Sequence, residues 1–261
     1  MARQISGFLI DIDGVLLIGN QSIPGAIEAI QFLLDKQIPY LLTTNTTRQG
    51  RITIWHHLKR IGFPIKETDI ITAPIAATRW LKKKGIYQIN LMVSGNTLHD
   101  FKDFKITSHQ PKYVVIGDIG KDLTFEKLNN TFRLIMGGAK ILALQKNRYW
   151  QTADGLTIDA GGVIAAIEYA TKKRAKVIGK PNKEFFYQAA QLIGLPPEEL
   201  AVVGDDLESD IDGGNKVGMF TIMVKTGKFR KEIFKKSKIK PDVIFESIAD
   251  LPYFISKKKE N

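Results

Sequence analysis

Short apolar, β-rich runs, most of them ending in a cluster of acidic, hydroxyl or basic side chains, constrain this chain more than any other feature. They fall at residues 7–12, 38–44, 176–178, 200–203 and 219–224, with helix-period segments between them. Such alternation is the pattern of strand–helix–strand units that close into a parallel sheet covered on both faces. Between the first two runs, residues 24–36 put Ile27, Ile30 and Leu34 on one helical face, and Pro24 suits a first helical turn. The expected fold is therefore α/β, a doubly wound, Rossmann-like parallel-sheet core. A chain of 261 residues with 44 % hydrophobic content can bury such a core.

The interval from residue 44 to residue 176 is too long for one crossover connection. It contains apolar runs at 90–93, 113–116 and 140–144, with helical segments around 124–136 and 162–171. These can form a smaller α/β domain of their own. The expected organisation is a core of residues 1–79 and 175–261 interrupted by an inserted domain, a cap, at 80–174. No internal repeat, low-complexity segment or Pro/Ser linker marks the boundaries.

Composition removes several chemistries. The chain has no cysteine, which excludes disulfides, thiolate metal sites and a cysteine nucleophile, so any metal must sit on oxygen or histidine. No apolar run approaches the about 18 residues of a membrane span, and the start lacks a signal-peptide core. A cytoplasmic protein with no membrane partner is expected. The net charge of +11 invites a nucleic-acid reading. Its distribution argues otherwise: residues 225–261 hold eleven Lys/Arg against five Asp/Glu, and Lys257-Lys258-Lys259 reads as a solvated tail. Lys82-Lys83-Lys84 falls at an expected helix end, where cations interact favourably with the helix dipole. The charge is read as surface that attracts anionic phosphate compounds, with no nucleic-acid partner.

Four motifs carry chemistry. Asp11-Ile12-Asp13-Gly14 sets two acids at a strand end, where ligand sites of open α/β sheets gather. Alone it is equally compatible with a turn in which Asp caps backbone groups. Thr43-Thr44-Asn45-Thr46-Thr47 offers phosphate donors at another strand end, or merely a helix N-cap. Lys180, before Pro181, is either a fixed counter-charge for a phosphoryl group or an ordinary surface lysine. Gly204-Asp205-Asp206-Leu207-Glu208-Ser209-Asp210 places four acids in six residues at a strand end. So many carboxylates require a cation, and carboxylate oxygens suit Mg²⁺. The four histidines, His56, His57, His99 and His109, lie outside every motif.

In that order the four motifs resemble those of the haloacid-dehalogenase-like (HAD-like) hydrolases over nearly the whole chain. The closest likeness is to the NagD-like branch, which includes phosphoglycolate, pyridoxal and phospholysine phosphohistidine inorganic pyrophosphate phosphatases. Arg148-Tyr149, Asp154-Gly155-Leu156, Ala166-Ile167-Glu168-Tyr169-Ala170 and Lys225-Thr226-Gly227-Lys228-Phe229 add to it. The resemblance implies a phosphatase with Asp11 as nucleophile and Asp13 as general acid and base. Substrate phosphate would meet Asp11, Ile12, Asp13, Thr44, Asn45 and Lys180. Mg²⁺ would be held by Asp11, the Asp13 carbonyl and Asp205, with Asp210 holding the ion's waters and Asp206 either supporting them or facing solvent.

The spacing of 33 residues from Asp11 to Thr44 and 136 from Thr44 to Lys180 puts the insertion after the second motif. A lid of that kind implies small phosphorylated substrates, with Arg148, Asp154 and Asp159 as candidates for reading the leaving group. Pyrophosphate, phosphohistidine and phospholysine are the implied substrates, nucleotide or sugar phosphates the alternative. A catalytically silent phosphate-metabolite sensor is the rival of another class. A homodimer is also implied by the resemblance.

Overall fold

The computed structural model describes residues 4–152 and 155–259, so Asp154 lies outside the described residues. The chain divides into two compact units, Met1–Thr44 with Ile54–Ile71 and Lys180–Asn261, and Asn45–Thr53 with Thr72–Gly179.

The first unit is built on a six-stranded sheet with Gly7–Asp11 in its interior. This strand pairs in parallel with Tyr40–Thr44 on one side and Leu200–Gly204 on the other. Phe220–Val224 and Val243–Phe245 extend the sheet beyond Leu200–Gly204, and Ile70–Thr72 closes the opposite edge. Gly7–Asp11 and Leu200–Gly204 are buried along their whole length and Tyr40–Thr44 from Leu41 on, the near-continuous apolar signature of a sheet covered on both faces. Alternate residues Phe8, Ile10 and Ile12 join Leu42, Ala201 and Val203 in one cluster. The helix Ala26–Asp35 covers that face through Ala26, Ala29, Ile30 and Leu33. The expected stripe of Ile27, Ile30 and Leu34 is corrected by about one helical step. The two alanines permit a close approach, and Leu34 is left 36 % exposed. Elsewhere in the unit Gly213 abuts the ring of Phe186 and Gly214 the side chain of Val202, on Leu200–Gly204.

The second unit has a five-stranded sheet in the order Lys176–Val177, Lys140–Ala143, Tyr113–Ile116, Gln88–Met92, Lys105–Ile106. Its core gathers Met92, Val114, Ile116, Ile135, Ile141, Ile164 and Ile167 from strands and from the helices Phe125–Met136 and Ala160–Thr171. The strand at Lys176–Val177 had been expected in the same sheet as residues 7–12. It pairs instead with Lys140–Ala143, because the helix Ala160–Thr171 returns the chain to that edge. At the other end of this unit, Ala73–Lys83 packs against the turn Gly95–Phe101. The second unit thus extends past residues 80–174 on both sides.

Two readings of the basic clusters can be placed. Lys82 and Lys83 close the helix Ala73–Lys83, as the dipole argument expects. Lys257-Lys258-Lys259, expected as a solvated tail, forms the last turn of the helix Leu251–Lys259. No helix of the described residues is long and apolar enough to cross a membrane.

Leu42 is fully buried in the strand that ends at Thr44. Leu42→Ala is expected to cost about 2–5 kcal/mol of the first unit's stability, read by urea unfolding.

Candidate active site

Parallel pairing brings the motif residues together. Asp11 is the last residue of Gly7–Asp11 and lies in register with Thr43 on the neighbouring strand. On the other side Leu200–Gly204 ends one residue before Asp205. The site therefore stands at the carboxyl ends of three adjacent strands, where the chain passes from one side of its first strand to the other.

Lys180 is the centre of the cluster. Its side chain is 3 % exposed, and its ammonium donates to Asp11 Oδ1 at 2.5 Å, Asp210 Oδ1 at 2.7 Å and Thr43 Oγ1 at 3.4 Å. Burial alone would push this ammonium's pKa down, but Asp11 and Asp210 outweigh it and hold it above the ordinary lysine range. Of the alternatives left open for this residue, the surface lysine is removed.

Asp11, Asp205 and Asp210 are all buried, and one oxygen from each lies within 4.8 Å of the others. Burial raises the Asp11 carboxyl; Lys180 opposes the rise and Asp13 adds to it. Burial also pushes Asp205 up to about 8, with Asp11 and Asp210 adding repulsion. Asp210 is pushed up to about 7, chiefly by burial, with Lys180 opposing. The Lys180 ammonium bonds two of the three buried carboxylates, and Lys228 acts on Asp205 and Asp11 from a largely exposed side chain, which leaves the cluster short of positive charge. Asp205 Oδ2 accepts the Lys228 backbone N–H at 2.8 Å, whereas its buried Oδ1 has no hydrogen-bond partner among the described residues. An all-oxygen donor set with a buried, unpartnered carboxylate oxygen fits a hard divalent cation.

The remaining motif residues have distinct surroundings. Asp13 is exposed just beyond the strand, and Thr44 Oγ1 lies 3.5 Å from its Oδ2. The Ile12 side chain is in the core, its N–H donates to Thr43 O, and its carbonyl accepts from Leu16 and Leu17. Ile12 therefore shapes the loop that presents Asp13. Asn45 follows Thr44 directly and is the first residue counted with the second unit. Asp206 caps the widened turn Leu207–Ile211, accepting from the Glu208 and Ser209 amides, and receives the Lys228 ammonium at 2.9 Å. Burial would raise its carboxyl, but Lys228 holds it below the usual range. In the second unit Arg148 is exposed, with its guanidinium 5.7 Å from the Tyr149 ring centroid. Asp159 is buried, caps the helix Ala160–Thr171 and is bonded by Gln145 at 2.6 Å.

Sequence reasoning named Thr43 within its motif but left it out of the site residues, although strand register sets it beside Asp11 and its hydroxyl accepts from Lys180. Period-two alternation from an assumed pairing with Asp11 would have found it. The same reasoning quoted Lys228 only within the segment 225–229 that resembles the family and gave it no role of its own.

Comparison with known proteins places this geometry. Residues 8–107 match the family model for haloacid dehalogenase-like hydrolases, and residues 177–251 match a second, HAD-hydrolase-like model. The chain is 36 % identical over 245 residues to human haloacid dehalogenase-like hydrolase domain-containing protein 2, covering 94 % of this chain and 93 % of the relative. It is 32 % identical over 252 residues to human phospholysine phosphohistidine inorganic pyrophosphate phosphatase, covering 94 % and 92 %. Among solved structures, NagD from Escherichia coli K-12 aligns with a TM-score of 0.87 at 25 % identity, covering 95 % of this chain and 98 % of that one.

Lys180→Met would leave Asp11 and Asp210 buried without their shared counter-charge. A loss on the order of 3–5 kcal/mol in metal-free stability at neutral pH is expected from urea unfolding.

Proposed function

This chain belongs to the haloacid dehalogenase-like hydrolase family, in its NagD-like branch, and from that premise we propose a Mg²⁺-dependent phosphatase that works through an aspartyl-phosphate on Asp11. One observation carries the reading. The Asp11 carboxylate is held by a buried ammonium in a carboxylate cluster where Asp205 Oδ1 is buried and has no partner among the described residues.

Asp11 would attack the phosphorus of a small phosphorylated substrate. The bond from phosphorus to the leaving atom breaks, and Asp13, exposed beside Thr44, gives that atom a proton. Asp13 then takes a proton from water as the water oxygen attacks the aspartyl-phosphate. The phosphorus–Asp11 bond breaks, and free phosphate and the Asp11 carboxylate are restored. Dividing nucleophile from proton carrier suits the two environments, since Asp11 is fixed by Lys180 and Asp13 reaches solvent.

Thr44, the Asn45 backbone and Lys180 would hold the phosphoryl oxygens. Asp11, the Asp13 carbonyl and Asp205 would hold Mg²⁺, with Asp210 supporting the ion. When bound, the ion neutralises charge on the transferring group, and Lys180 supplies the second cation of that clamp. The inserted segment 80–174 would serve as the lid that reads the leaving group, favouring small substrates over folded phosphoproteins. The printed name of the human phosphatase at 32 % identity makes pyrophosphate and the phosphoamidates of histidine and lysine the substrates to test first.

Turnover of p-nitrophenyl phosphate with Mg²⁺ separates this enzyme from a silent sensor. Asp11→Asn is expected to reduce turnover to background, because an amide cannot form the acyl-phosphate. Asp205→Asn should raise the Mg²⁺ concentration needed for half-maximal rate; an unchanged requirement removes Asp205 from the ion. For the lid, Arg148→Ala should shift the ratio of kcat/KM between pyrophosphate and p-nitrophenyl phosphate, a lost polar contact being worth about 1–3 kcal/mol. Lys180→Ala should lower both alike.

A further inference from the structure

Three hydrogen bonds tie the short segment from Thr226 to Lys228 to the loops that carry the acids. The Thr226 hydroxyl donates to the Gly14 carbonyl at 2.5 Å, in the loop just after Asp13. The Lys228 N–H donates to Asp205 Oδ2 at 2.8 Å, and the Lys228 ammonium to Asp206 Oδ2 at 2.9 Å. The approach is close as well as bonded. A Cβ on either Gly14 or Gly227 would lie 2.0 Å from Asp205 Oδ2, and both residues have positive φ, at 86° and 62°. The Asp205 carboxylate is therefore wedged between two glycine backbones, with one oxygen committed to an amide. Its other oxygen, Oδ1, is left buried and without a partner among the described residues.

We propose that Thr226–Lys228 is a positioning latch. By holding Asp205 Oδ2 and pinning the Gly14 loop, it fixes the Asp205 side chain so that Oδ1 is presented for a divalent cation. None of its three contacts is to a substrate or a reacting atom, so its residues position and do not catalyse. Lys228 adds to the latch by restraining Asp206, whose other oxygen caps the turn leading to Asp210. Partners that orient metal ligands typically change affinity by about 10- to 100-fold when removed. This inference rests on the cation reading above.

The experiment measures cation binding without substrate, using Mn²⁺ by electron paramagnetic resonance with competition by Mg²⁺. Thr226→Val removes the hydroxyl at nearly constant volume, and about 10-fold or greater weakening of Mn²⁺ binding is expected. Thr226→Ser, which keeps the hydroxyl, should bind like wild type. In turnover, Thr226→Val should need more Mg²⁺ while reaching a near-normal kcat once saturated. Should Thr226→Val fail to fold, Lys228→Met serves, since that side chain is 67 % exposed and the amide is retained. The latch predicts weaker Mn²⁺ binding in Lys228→Met, whereas a lysine acting only as a nearby positive charge would tighten it on removal. Wild-type affinity in Thr226→Val beside clearly weakened Asp205→Asn overturns the latch alone. No Mn²⁺ binding by the wild-type protein overturns the cation reading and the latch with it.

Discussion

The buried ammonium of Lys180 is the interaction on which the carboxyl end of the sheet depends. It bonds Asp11, 169 positions earlier in the chain, and Asp210, 30 positions later, and its own side chain is almost wholly out of water. Asp11 and Asp210 could not be gathered in this volume without it, because the desolvation of each would be unrelieved. With Asp205 added, the cluster is short of positive charge even with Lys228 nearby. Burial is the main reason that the Asp11, Asp205 and Asp210 carboxyls lie above their usual range, and repulsion from neighbouring carboxylates adds to it. That charge balance is compatible with the proposed cation and phosphoryl group, whose electrostatic demands dominate phosphoryl transfer.

Holding charges so close needs backbones that come closer than ordinary side chains allow. Beyond the two glycines that flank Asp205, Gly204 ends its strand where a Cβ would lie 2.3 Å from that of Asp210. The widened turn Leu207–Ile211 then brings Asp210 back beneath the strand end, and its amide-capped Asp206 keeps that turn in place. Parallel pairing sets Asp11 beside Thr43, so that one lysine reaches both. The site's precision comes from sheet register and glycine contacts acting together.

Much of this was legible in the chain itself. The strand runs at 7–12, 38–44 and 200–203 correspond to Gly7–Asp11, Tyr40–Thr44 and Leu200–Gly204, because a sheet buried on both faces leaves continuous apolar runs. The three-residue edges Ile70–Thr72 and Val243–Phe245 were too short to stand out. The run at 176–178 was recognisable as strand but not by its sheet, since apolar periodicity carries no information about which neighbour a strand takes. The helix face at Ala26, Ala29, Ile30 and Leu33 was displaced for a related reason. Two overlapping stripes satisfy the helical period, and only the packing distance prefers alanine.

By itself, the sequence determined the α/β class and the family and put forward the ordered set Asp11, Asp13, Thr44, Lys180, Asp205 and Asp210, because those depend on local pattern and on residue types that few chemistries need. Tertiary structure alone decided that Lys180 is buried between Asp11 and Asp210, that Thr43 joins it, that Asp205 keeps one oxygen unpartnered among the described residues, and that Thr226 and Lys228 reach back to Gly14 and Asp205. These are contacts across as many as 212 positions of chain. They follow from strand order and register, which a linear pattern does not encode.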